Sequence, residues 1–469
     1  MKAPITLIKG DKIGIETDYR DALPVNMYAI KREILGAQGY MECYPGLTQI
    51  ATGSGVDRGA NYNDRFEEHY RVSGTKLIKV VGGVTTELGT IPGTSQVRME
   101  DFYSFNTQGI IADGKFFLYS PTGGFVEVVD PDLGSPIDGV WVDLYYFMTD
   151  GEYIFHTDVD DETSIDPLKY ATAEFMPDKS LGVAKTQDNK VMVFGRYSLE
   201  YFVNIAQENF AFQRVVTRAQ KIGIVATHAK CEGAFKFFIT GGRKSEAVGV
   251  HALGVGSSEK ISTKEIDKIL AAYTEPQLAD MRMECRQENS TSFILVHLPN
   301  ETLCFNETIA LQFGVEVAWS ILKTNIIGSA LYRGINGVFD ANLAQWVYGD
   351  KRDPFIGKLD QTVFTHYDEI QEWILYSPFL KLETQSIDEI EIEIIPGHTA
   401  FINAKVAFSM TFDGLTYGTE HWQEYGEPNE YNKKFVLRRI GYIADWVGFK
   451  FRGATKSRMA FALLKVTHA

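Results

Sequence analysis

A recurring hairpin pattern constrains the fold of this chain more than any other feature of its sequence. In "GKFFLYSPTGGFVEVVD", residues 114–130, an apolar run, a turn with Pro and Gly, and a second run with alternating character follow one another. The same shape occurs seven times, and its centres are separated by 39, 37, 39, 45, 57 and 52 residues. The seven apolar centres are Ile78, Phe117, Ile154, Val193, Phe238, Leu295 and Val347.

This spacing predicts a β-propeller. A single hairpin is too small to bury its own apolar face, and four-stranded blades stacked around an axis recur about every 40 to 50 residues. We therefore expect an all-β protein in which residues 51–368 form a propeller of about seven blades, closed or flanked by residues 1–50. A run of unrelated hairpins in two stacked sheets is the alternative, because no strict motif such as Trp-Asp repeats.

The longest gap between centres contains a helical segment. In "STKEIDKILAAYTEPQLADM" four apolar residues keep helical spacing, and Ser262 or Thr263 is the expected N-cap. The helix explains part of the extra length of this repeat. The apolar residues are Ile266, Ile269, Leu270 and Tyr273.

After residue 368 the pattern changes to longer alternating strands, which predict a separate β-sandwich over residues 369–469. In "SIDEIEIEIIPG" three Glu alternate with three Ile, as in an antiparallel strand with one wet face. The stretch "AKVAFSMTFDGLTYG" predicts a strand, an Asp-Gly turn at 413–414 and a return strand. "WVGFKFRG" places Val447, Phe449 and Phe451 inward, with Lys450 and Arg452 outward.

Charge is distributed unevenly along the chain. The net charge of −15 argues against tight wrapping by nucleic acid, because that affinity comes from many Lys and Arg residues. Residues 433–469 contain nine Lys or Arg and one acidic residue, so their net charge is +8. The net charge of the rest of the chain is −23. These cations could contact phosphates, but pairing with the acidic stripe Glu389, Glu391 and Glu393, or docking of an acidic partner, is favoured. The candidate docking residues are Lys433, Lys434, Arg438, Arg439, Lys450 and Arg452.

Two acidic segments are the candidates for chemistry, and neither has a complete motif. Numbered as a calcium loop from Asp158, residues 158–169 have Thr163 where Gly is needed and Lys169 where a bidentate Glu belongs. Residues 61–71 offer the carboxylates Asp64, Glu67 and Glu68 beside His69, as a glycosidase could use, but nothing marks a buried partner for them. The sequence therefore predicts no catalytic, metal-binding or cofactor-binding residue, and a glycan-binding or glycoside-cleaving propeller remains the alternative.

The cysteines and the termini give further expectations. Cys43, Cys231, Cys285 and Cys304 are far apart and form no C-x-x-C pair, which favours reduced thiols and synthesis in the cytoplasm. The first apolar stretch is too short for a secretion signal, and no window approaches the roughly 20 apolar residues that span a bilayer.

Several strings, in order along nearly the whole chain, resemble the tail hub proteins of short-tailed enterobacterial phages. This family is also called the tail accessory factor or packaged DNA stabilisation protein. The strings include "KREILGAQGYMECYPGLT", "DRGANYN", "YRVSGTKLIKV", "HLPNETLCFN", "LYRGINGVFDANLAQWVYGDK" and "GFKFRGATKS".

The resemblance implies a structural role in the virion tail and no catalysis. Such hubs form a hexameric ring beneath the portal and its adaptor ring after DNA has been packaged. They help to retain the DNA, carry the tailspikes and receive the tail needle. Acidic channel walls agree with this role because they repel passing DNA and do not hold it. A host scaffold propeller that binds cellular peptides is a third possibility.

Overall fold

The computed structural model describes residues 2–8, 10, 22–34, 36–102, 106–328, 331–382, 384–395, 399 and 402–468. In this part of the chain, seven sheets of at least four strands follow one another, and a two-sheet sandwich follows them. Successive sheets contact each other, mostly through their innermost strands, and Gly334–Asp340 contacts Asp57–Asn63, so that the ring closes. The predicted seven-bladed propeller and C-terminal sandwich are therefore confirmed.

Blades 1 to 3 come first along the chain, and each is an antiparallel meander. Blade 1 consists of Asp57–Asn63, Glu68–Ser73, Lys76–Val81 and Val84–Thr90. Blade 2 consists of Arg98–Phe102, Thr107–Ala112, Lys115–Ser120 and Gly124–Glu127. Blade 3 consists of Asp138–Val142, Tyr145–Thr149, Ile154–His156 and Tyr170–Ala171, and the short 3-10 helix Pro167–Lys169 precedes its last strand.

Blades 4 to 6 continue the pattern and contain the helices. Blade 4 consists of Ser180–Lys185, Val191–Gly195, Leu199–Asn204 and Phe212–Arg214, followed by the 3-10 helix Val216–Arg218. Blade 5 consists of Gly223–Ile224, Lys230–Glu232, Phe237–Gly242, Gly249–Gly254 and Ser257–Lys260, followed by the helices Lys264–Ala271 and Glu275–Leu278. Blade 6 consists of Arg282–Glu288, Thr291–His297, Thr302–Asn306 and Trp319–Leu322, with the helix Glu307–Phe313 and the 3-10 helix Val315–Val317 before the last strand.

Blade 7 joins the two ends of the propeller. Its first three strands are Gly334–Asp340, Gln345–Asp350 and Phe355–Asp360, and its fourth is Gly46–Thr52 from the start of the chain. The short strands Thr365–His366 and Glu369–Ile370 extend this sheet. Antiparallel pairing of Phe355–Asp360 with Gly46–Thr52 thus fixes the circle by backbone hydrogen bonds.

The seven predicted centres fall in seven different blades, although not at equivalent positions. Ile78, Phe117 and Ile154 lie in third strands, and Val193, Leu295 and Val347 lie in second strands. Phe238 lies in Phe237–Gly242, which pairs with both of the first two strands of blade 5. Both middle strands of a blade are covered on two faces, and so both are apolar runs of similar appearance in the sequence. Because a predicted centre can fall in either of these strands, the intervals between centres vary more than the spacing of the blades does.

The sandwich is made from both ends of the chain. One sheet has the order Met27–Ile30, Tyr40–Cys43, Ala460–His468, Gln385–Ile394 and Phe435–Ile443, and Lys2–Thr6 also pairs with Ala460–His468. The other sheet has the order Trp373–Tyr376, Trp446–Gly453, Ala404–Thr411 and His421–Gly426, and Leu380–Lys381 also pairs with Trp446–Gly453.

Alternation in the two central strands of the sandwich is confirmed. In Gln385–Ile394 the side chains of Ile390, Ile392 and Ile394 are buried, and the glutamates between them are partly exposed. In Trp446–Gly453 the predicted inward residues Val447, Phe449 and Phe451 are fully buried.

The chain turns at Asp413 and Gly414, as predicted, but the prediction of a return strand directly after this turn is wrong. The strand ends at Thr411, and the return strand begins only at His421, so residues 412–420 form a longer loop. Asp413 accepts bonds from the amides of Leu415 and Thr416, as expected in an Asx turn. However, Gly418 donates to the Met410 carbonyl, and the Tyr417 ring lies 5.9 Å from that of Tyr376. Packing of this ring against the sheet, which the local turn signal does not report, lengthens the connection.

The predicted helix is confirmed, with Thr263 at the N-cap position of Lys264–Ala271. The side chains of Ile266 and Leu270 are buried, and Ile269 and Tyr273 pack against the same core. Ser262 lies one residue earlier, where its hydroxyl bonds Asp267 at 2.6 Å.

The propeller and the sandwich share one sheet and one core. Val25 bridges Ile321 of blade 6 on one side and Ile374 of the sandwich on the other. The largest hydrophobic cluster likewise includes Phe305 of blade 6 and Phe449 of the sandwich. The last strand of blade 6 therefore continues, through one residue of the N-terminal segment, into the second sandwich sheet.

Candidate docking surfaces

The basic strand at the sandwich edge is paired with the acidic stripe, as predicted. Arg438 Nε lies 3.0 Å from Glu389 Oε2, Lys434 Nζ lies 3.4 Å from Glu391 Oε1, and Lys465 pairs with Glu393. Opposite charges on adjacent strands stabilise a sheet only modestly when they are exposed. The side chains of Lys434 and Arg438 are 76% and 75% exposed, so both remain accessible to a partner.

Lys433 and Arg439 complete this edge. Lys433 Nζ lies 3.7 Å from Glu424 of the other sheet and 3.8 Å from Glu430. The pairing with Gln385–Ile394 shifts register near Arg439, whose φ is +60°, as expected at a bulge. Within the described residues no carboxylate forms an ion pair with Arg439, which is exposed. The bulge thus turns a free guanidinium outward from an edge strand.

Lys450 and Arg452 lie on a different surface, the outer face of the second sheet. Arg452 donates to Glu420 at 2.8 and 2.6 Å and to Glu372 at 3.1 Å, and it lies over the ring of Trp422. The bond from Arg452 lowers the pKa of Glu420. Lys450 Nζ lies 5.1 Å from the centroid of the Tyr417 ring. The six predicted docking residues therefore form two surfaces: an edge with Lys433, Lys434, Arg438 and Arg439, and an outer face with Lys450 and Arg452.

Two exposed tryptophans belong to the same sandwich and were missed by the sequence analysis. Trp422 is 51% exposed and Trp446 is 43% exposed. Trp446 could have been found, because it is in phase with the outward Lys450 and Arg452 on its strand. Trp422 could not, because its short strand shows no regular alternation. Exposed Trp beside Arg is the residue combination that dominates binding energy at protein interfaces.

Hydrogen bonds between its own residues, together with the pairing of Asp158 with Lys169, hold the acidic loop 158–166 in its conformation. Asp158 accepts from Ser164 at 2.7 Å and also binds Lys169, while Asp161 accepts from the Thr163 amide at 2.9 Å. Burial, together with Asp161 and Asp160, raises the pKa of Glu162 to about 7. A search of the described residues finds no cluster of three or more His, Cys, Asp or Glu side chains placed to hold a metal ion.

The histidine and arginine of residues 61–71 hold blade 1 to blade 7. His69 Nδ1 lies 3.1 Å from Asp340 Oδ2, and Arg71 Nη1 lies 3.0 Å from His69 Nε2. Arg71 Nε also donates to Asp57 at 2.7 Å. Burial lowers the pKa of His69 to about 4, so the ring is neutral at pH 7. This hydrogen-bond network joins blade 1 to blade 7.

The carboxylates of the same segment either pair within their own blade or are exposed. Glu68 binds Tyr70 and, at 2.9 Å, Lys79 within its own blade, whereas Asp64 and Glu67 are exposed. A glycosidase needs two carboxyl groups on either side of a bound sugar. These residues line none of the three grooves of about 470, 580 and 590 Å³ in the described part of the chain.

Paired charges lie at the axis of the propeller. Lys230 Nζ lies 2.6 Å from Asp138 Oδ2, and Arg98 Nη2 lies 2.6 Å from Glu100 Oε2. These residues belong to the innermost strands or, for Lys230, to the equivalent position in blade 5. Lys230 and Asp138 thus join blade 5 to blade 3, whereas Arg98 and Glu100 pair within one strand of blade 2.

All four cysteines are unpaired thiols, and Cys43 and Cys304 are buried. Among the described residues no helix has the length and apolar character required to cross a bilayer.

The family model "Bacteriophage P22 Gp10, beta-propeller" matches residues 1–364, and "Bacteriophage P22 Gp10, beta-sandwich" matches residues 372–469. The chain is 30% identical to the tail hub protein gp10 of Salmonella phage P22, over 94% of this chain and 93% of that protein.

Two solved structures of low sequence identity also match part of the chain. Virginiamycin B lyase from Staphylococcus aureus is 13% identical, with a TM-score of 0.40, over 68% of this chain and 97% of that one. The N-terminal domain of Nup159 is 9% identical, with a TM-score of 0.42, over 72% of this chain and 99% of that one.

Proposed function

The chain belongs to the family of the P22 tail hub protein Gp10, and from this premise we propose that it forms a ring beneath the portal of a short phage tail. As a member of this family it is a structural protein of the virion tail. The proposed ring is hexameric, docks under the portal and adaptor after DNA packaging, and needs no catalysis. It helps to retain the packaged DNA and holds the tailspikes and the tail needle.

The observation that carries this proposal is the extent of the match, which includes both the propeller and the sandwich. A hub must transmit force between a portal on one side and tail components on the other. A continuous sheet from blade 6 through Val25 into the sandwich suits this task, because the two parts cannot swing independently without breaking backbone hydrogen bonds.

The charge distribution supports passage of DNA along the ring of copies. The chain before residue 433 carries a net charge of −23, so its surface repels the phosphate backbone. The inner strands of the propeller carry paired charges of both signs, such as Lys230 with Asp138, and so offer DNA no uniformly acidic lining. We infer that DNA runs between copies of the chain and not through a propeller.

We assign docking of a tail partner to the basic edge of the sandwich. Lys434, Arg438 and Arg439 are exposed on one edge strand, and each retains donors for an acidic surface. Exposed charges of this kind steer association and set its rate more than they stabilise the fold. The outer face with Trp422 and Arg452 is a second, aromatic surface for another component of the tail.

Mixing the purified chain with a portal-adaptor complex tests the proposal. Size-exclusion chromatography with light scattering should show a stoichiometric ring on the complex, and electron microscopy should show it beneath the adaptor. A chain that stays monomeric with the complex at micromolar concentration contradicts the proposed hub assembly.

A charge-reversal variant tests the basic edge separately. The variant Lys434→Glu, Arg438→Glu, Arg439→Glu should remain folded but bind its tail partner about tenfold or more weakly. The matched control reverses three exposed lysines in the propeller: Lys179→Glu, Lys221→Glu and Lys244→Glu. Equal loss in both variants would indicate an effect of net charge, and the edge would then not be the docking site.

A further inference from the structure

A buried arginine lies where blade 6, blade 7 and the closing N-terminal segment meet. Arg286 belongs to the first strand of blade 6, and its side chain is fully buried. Its guanidinium carbon lies 4.8 Å from the centroid of the Tyr44 ring and 4.4 Å from that of Phe293. Nη1 donates to Glu288 at 2.7 Å. Two rings therefore pack against the guanidinium, and one of its nitrogens is paired.

Several donors around this guanidinium have no acceptor. Within the described residues, Arg286 Nε and Nη2 and the hydroxyls of Tyr44, Tyr332 and Tyr348 have no hydrogen-bond partner. Each of these four side chains is at most 1% exposed. The three tyrosines pack in one cluster, in which the Tyr44 and Tyr332 rings are 5.9 Å apart. Unpaired polar groups this deeply buried are rare in proteins and require an explanation.

The neighbouring carboxylates are already occupied. Glu288 accepts from Arg286 Nη1 and from Gln361. Glu284 accepts from His297 Nε2 at 2.8 Å through one oxygen and from the Gly337 amide at 3.1 Å through the other. The protein thus supplies a set of inward donors, but its nearest acceptors are bonded to other groups.

We propose that Arg286, Tyr44, Tyr332 and Tyr348 bind a small monovalent anion of the halide type, such as chloride. An anion accepts several hydrogen bonds and donates none, so one anion could accept from Arg286 and from the three hydroxyls together. Arg286 is paired with Glu288 through Nη1, and its Nε and Nη2 are left to donate to the anion.

Two glycines leave the space that the hydroxyls of Tyr332 and Tyr348 occupy. A Cβ atom at Gly334 would lie 3.0 Å from the Tyr332 hydroxyl, and one at Gly337 would lie 2.9 Å from the Tyr348 hydroxyl. Both glycines belong to the first strand of blade 7. Any other residue at either position would push a hydroxyl out of place.

The anion would stabilise closure of the ring. Tyr44 precedes the closing strand Gly46–Thr52, Arg286 comes from blade 6, and Tyr332 and Tyr348 come from blade 7 or the segment just before it. One anion would therefore bind groups from three parts of the chain that meet only in the closed propeller. This inference does not depend on docking to a portal.

Thermal unfolding of the full chain in sodium chloride and in sodium gluconate at equal ionic strength tests the site. Chloride at a hundredfold excess over its Kd should raise Tm by about 2–3 °C, because it binds only the folded chain. A crystal soaked in sodium bromide should show an anomalous peak between Arg286 Nη2 and the tyrosine hydroxyls. Equal Tm values in both salts, or a bromide-soaked crystal without this peak, would overturn the proposal.

Tyr348→Phe removes one donor and keeps the ring, so this variant should fold and lose most of the chloride-dependent shift. Tyr417→Phe is the matched control, because Tyr417 also carries a buried hydroxyl without a partner but lies in the sandwich. Its shift should equal that of the unmodified chain. A full shift in Tyr348→Phe would show that chloride acts elsewhere and would also overturn the proposal.

Discussion

At the scale of single residues, Asn26 holds the two parts of the molecule together. Its side-chain amide donates to the carbonyls of Lys323, at 3.0 Å, and Glu372, at 2.7 Å, and its oxygen accepts from the Lys323 amide at 2.9 Å. Residue 323 follows blade 6, and residue 372 precedes the sandwich. The buried side chain of Asn26 thus supplies hydrogen-bond partners to backbone groups that are not paired within a strand. Buried backbone groups need such partners, because water does not reach them.

Asn26→Ala should lower the free energy of unfolding by about 3 kcal/mol or more, since it leaves two buried carbonyls and one amide without partners. The matched control is Asn289→Ala. Asn26 and Asn289 have nearly the same positive φ, +49° and +48°, but Asn289 is exposed and makes no side-chain hydrogen bond to any described residue. The control should cost about 1 kcal/mol from backbone strain. Urea unfolding measures both, and equal losses would contradict the proposed role of the side chain.

Glu162 should make stability depend on pH. Its pKa is about 7 in the folded chain, chiefly because of burial, against the usual value near 4.5. The folded state therefore prefers the protonated carboxyl, and the stability present below pH 4.5 is lost as the pH rises through 7. Glu162→Gln should be more stable than the unmodified chain by about 2–3 kcal/mol at pH 8 and unchanged near pH 4.

Glu152→Gln is the control for this measurement, because Glu152 is an exposed acid in the same blade. Its effect on denaturant unfolding should be small at both pH values. A Glu162→Gln variant with no gain at pH 8 would show that this carboxyl is not held in its neutral form.

At the scale of elements, the closing strand Gly46–Thr52 determines whether a ring forms. It pairs with Phe355–Asp360, more than 300 positions along the chain. Loop closure over such a distance costs entropy, which the backbone bonds and the buried Leu47 must offset. The strand lies tightly against its surroundings at Gly46, where a Cβ would approach the Thr365 amide to 2.8 Å.

Gly46→Ala should therefore destabilise the chain by about 2 kcal/mol, because the added Cβ would clash with backbone atoms, which cannot move aside as a flexible side chain could. Gly418→Ala is the control, since a Cβ there has only an ordinary contact, 3.6 Å from the Met410 carbonyl. Its effect should be below about 0.5 kcal/mol. Thermal unfolding compares the two, and a Gly46→Ala variant as stable as the control would show that the closing strand can shift without cost.

Some elements were predictable from the sequence because their cause is local. Strict alternation identified Gln385–Ile394 and Trp446–Gly453, and the spacing of apolar runs identified seven blades. The loop 412–420 was not predictable, because the Tyr417 ring packs against a strand distant in sequence. The addition of Met27–Ile30 and Tyr40–Cys43 to the sandwich was not predictable either, since strand pairing over 400 residues leaves no local signal.

The candidate surfaces show the same limit at the level of side chains. Charge counting predicted that the cations near the C-terminus pair with the acidic stripe, and Arg438 with Glu389 does so. The separation of Lys450 and Arg452 from the other four cations depends on which sheet each strand joins. The cluster around Arg286 has no sequence signature, because its four side chains come from three segments that only the closed ring brings together.

At the scale of the whole molecule, the propeller and the sandwich should unfold as one unit. Val25 donates to Ile374 at 3.0 Å, and the Ile321 amide donates to the Pro24 carbonyl at 2.9 Å, so one sheet crosses the junction. Lys323 Nζ pairs with Glu372 at 2.7 Å within the same buried region. Calorimetry of the full chain should therefore show a single transition, with a calorimetric enthalpy close to the van't Hoff value.

Val25→Pro removes the amide that joins the sandwich to the N-terminal segment, and it should split this transition into two, because the sheet is then interrupted at the junction. Val129→Pro is the matched control: Val129 is 86% exposed, and among the described residues its amide makes no hydrogen bond. This control should keep one transition. Two transitions in the unmodified chain would instead mean that residues 51–368 and 369–469 are independent domains, and that the shared sheet couples them too weakly to transmit force through the tail.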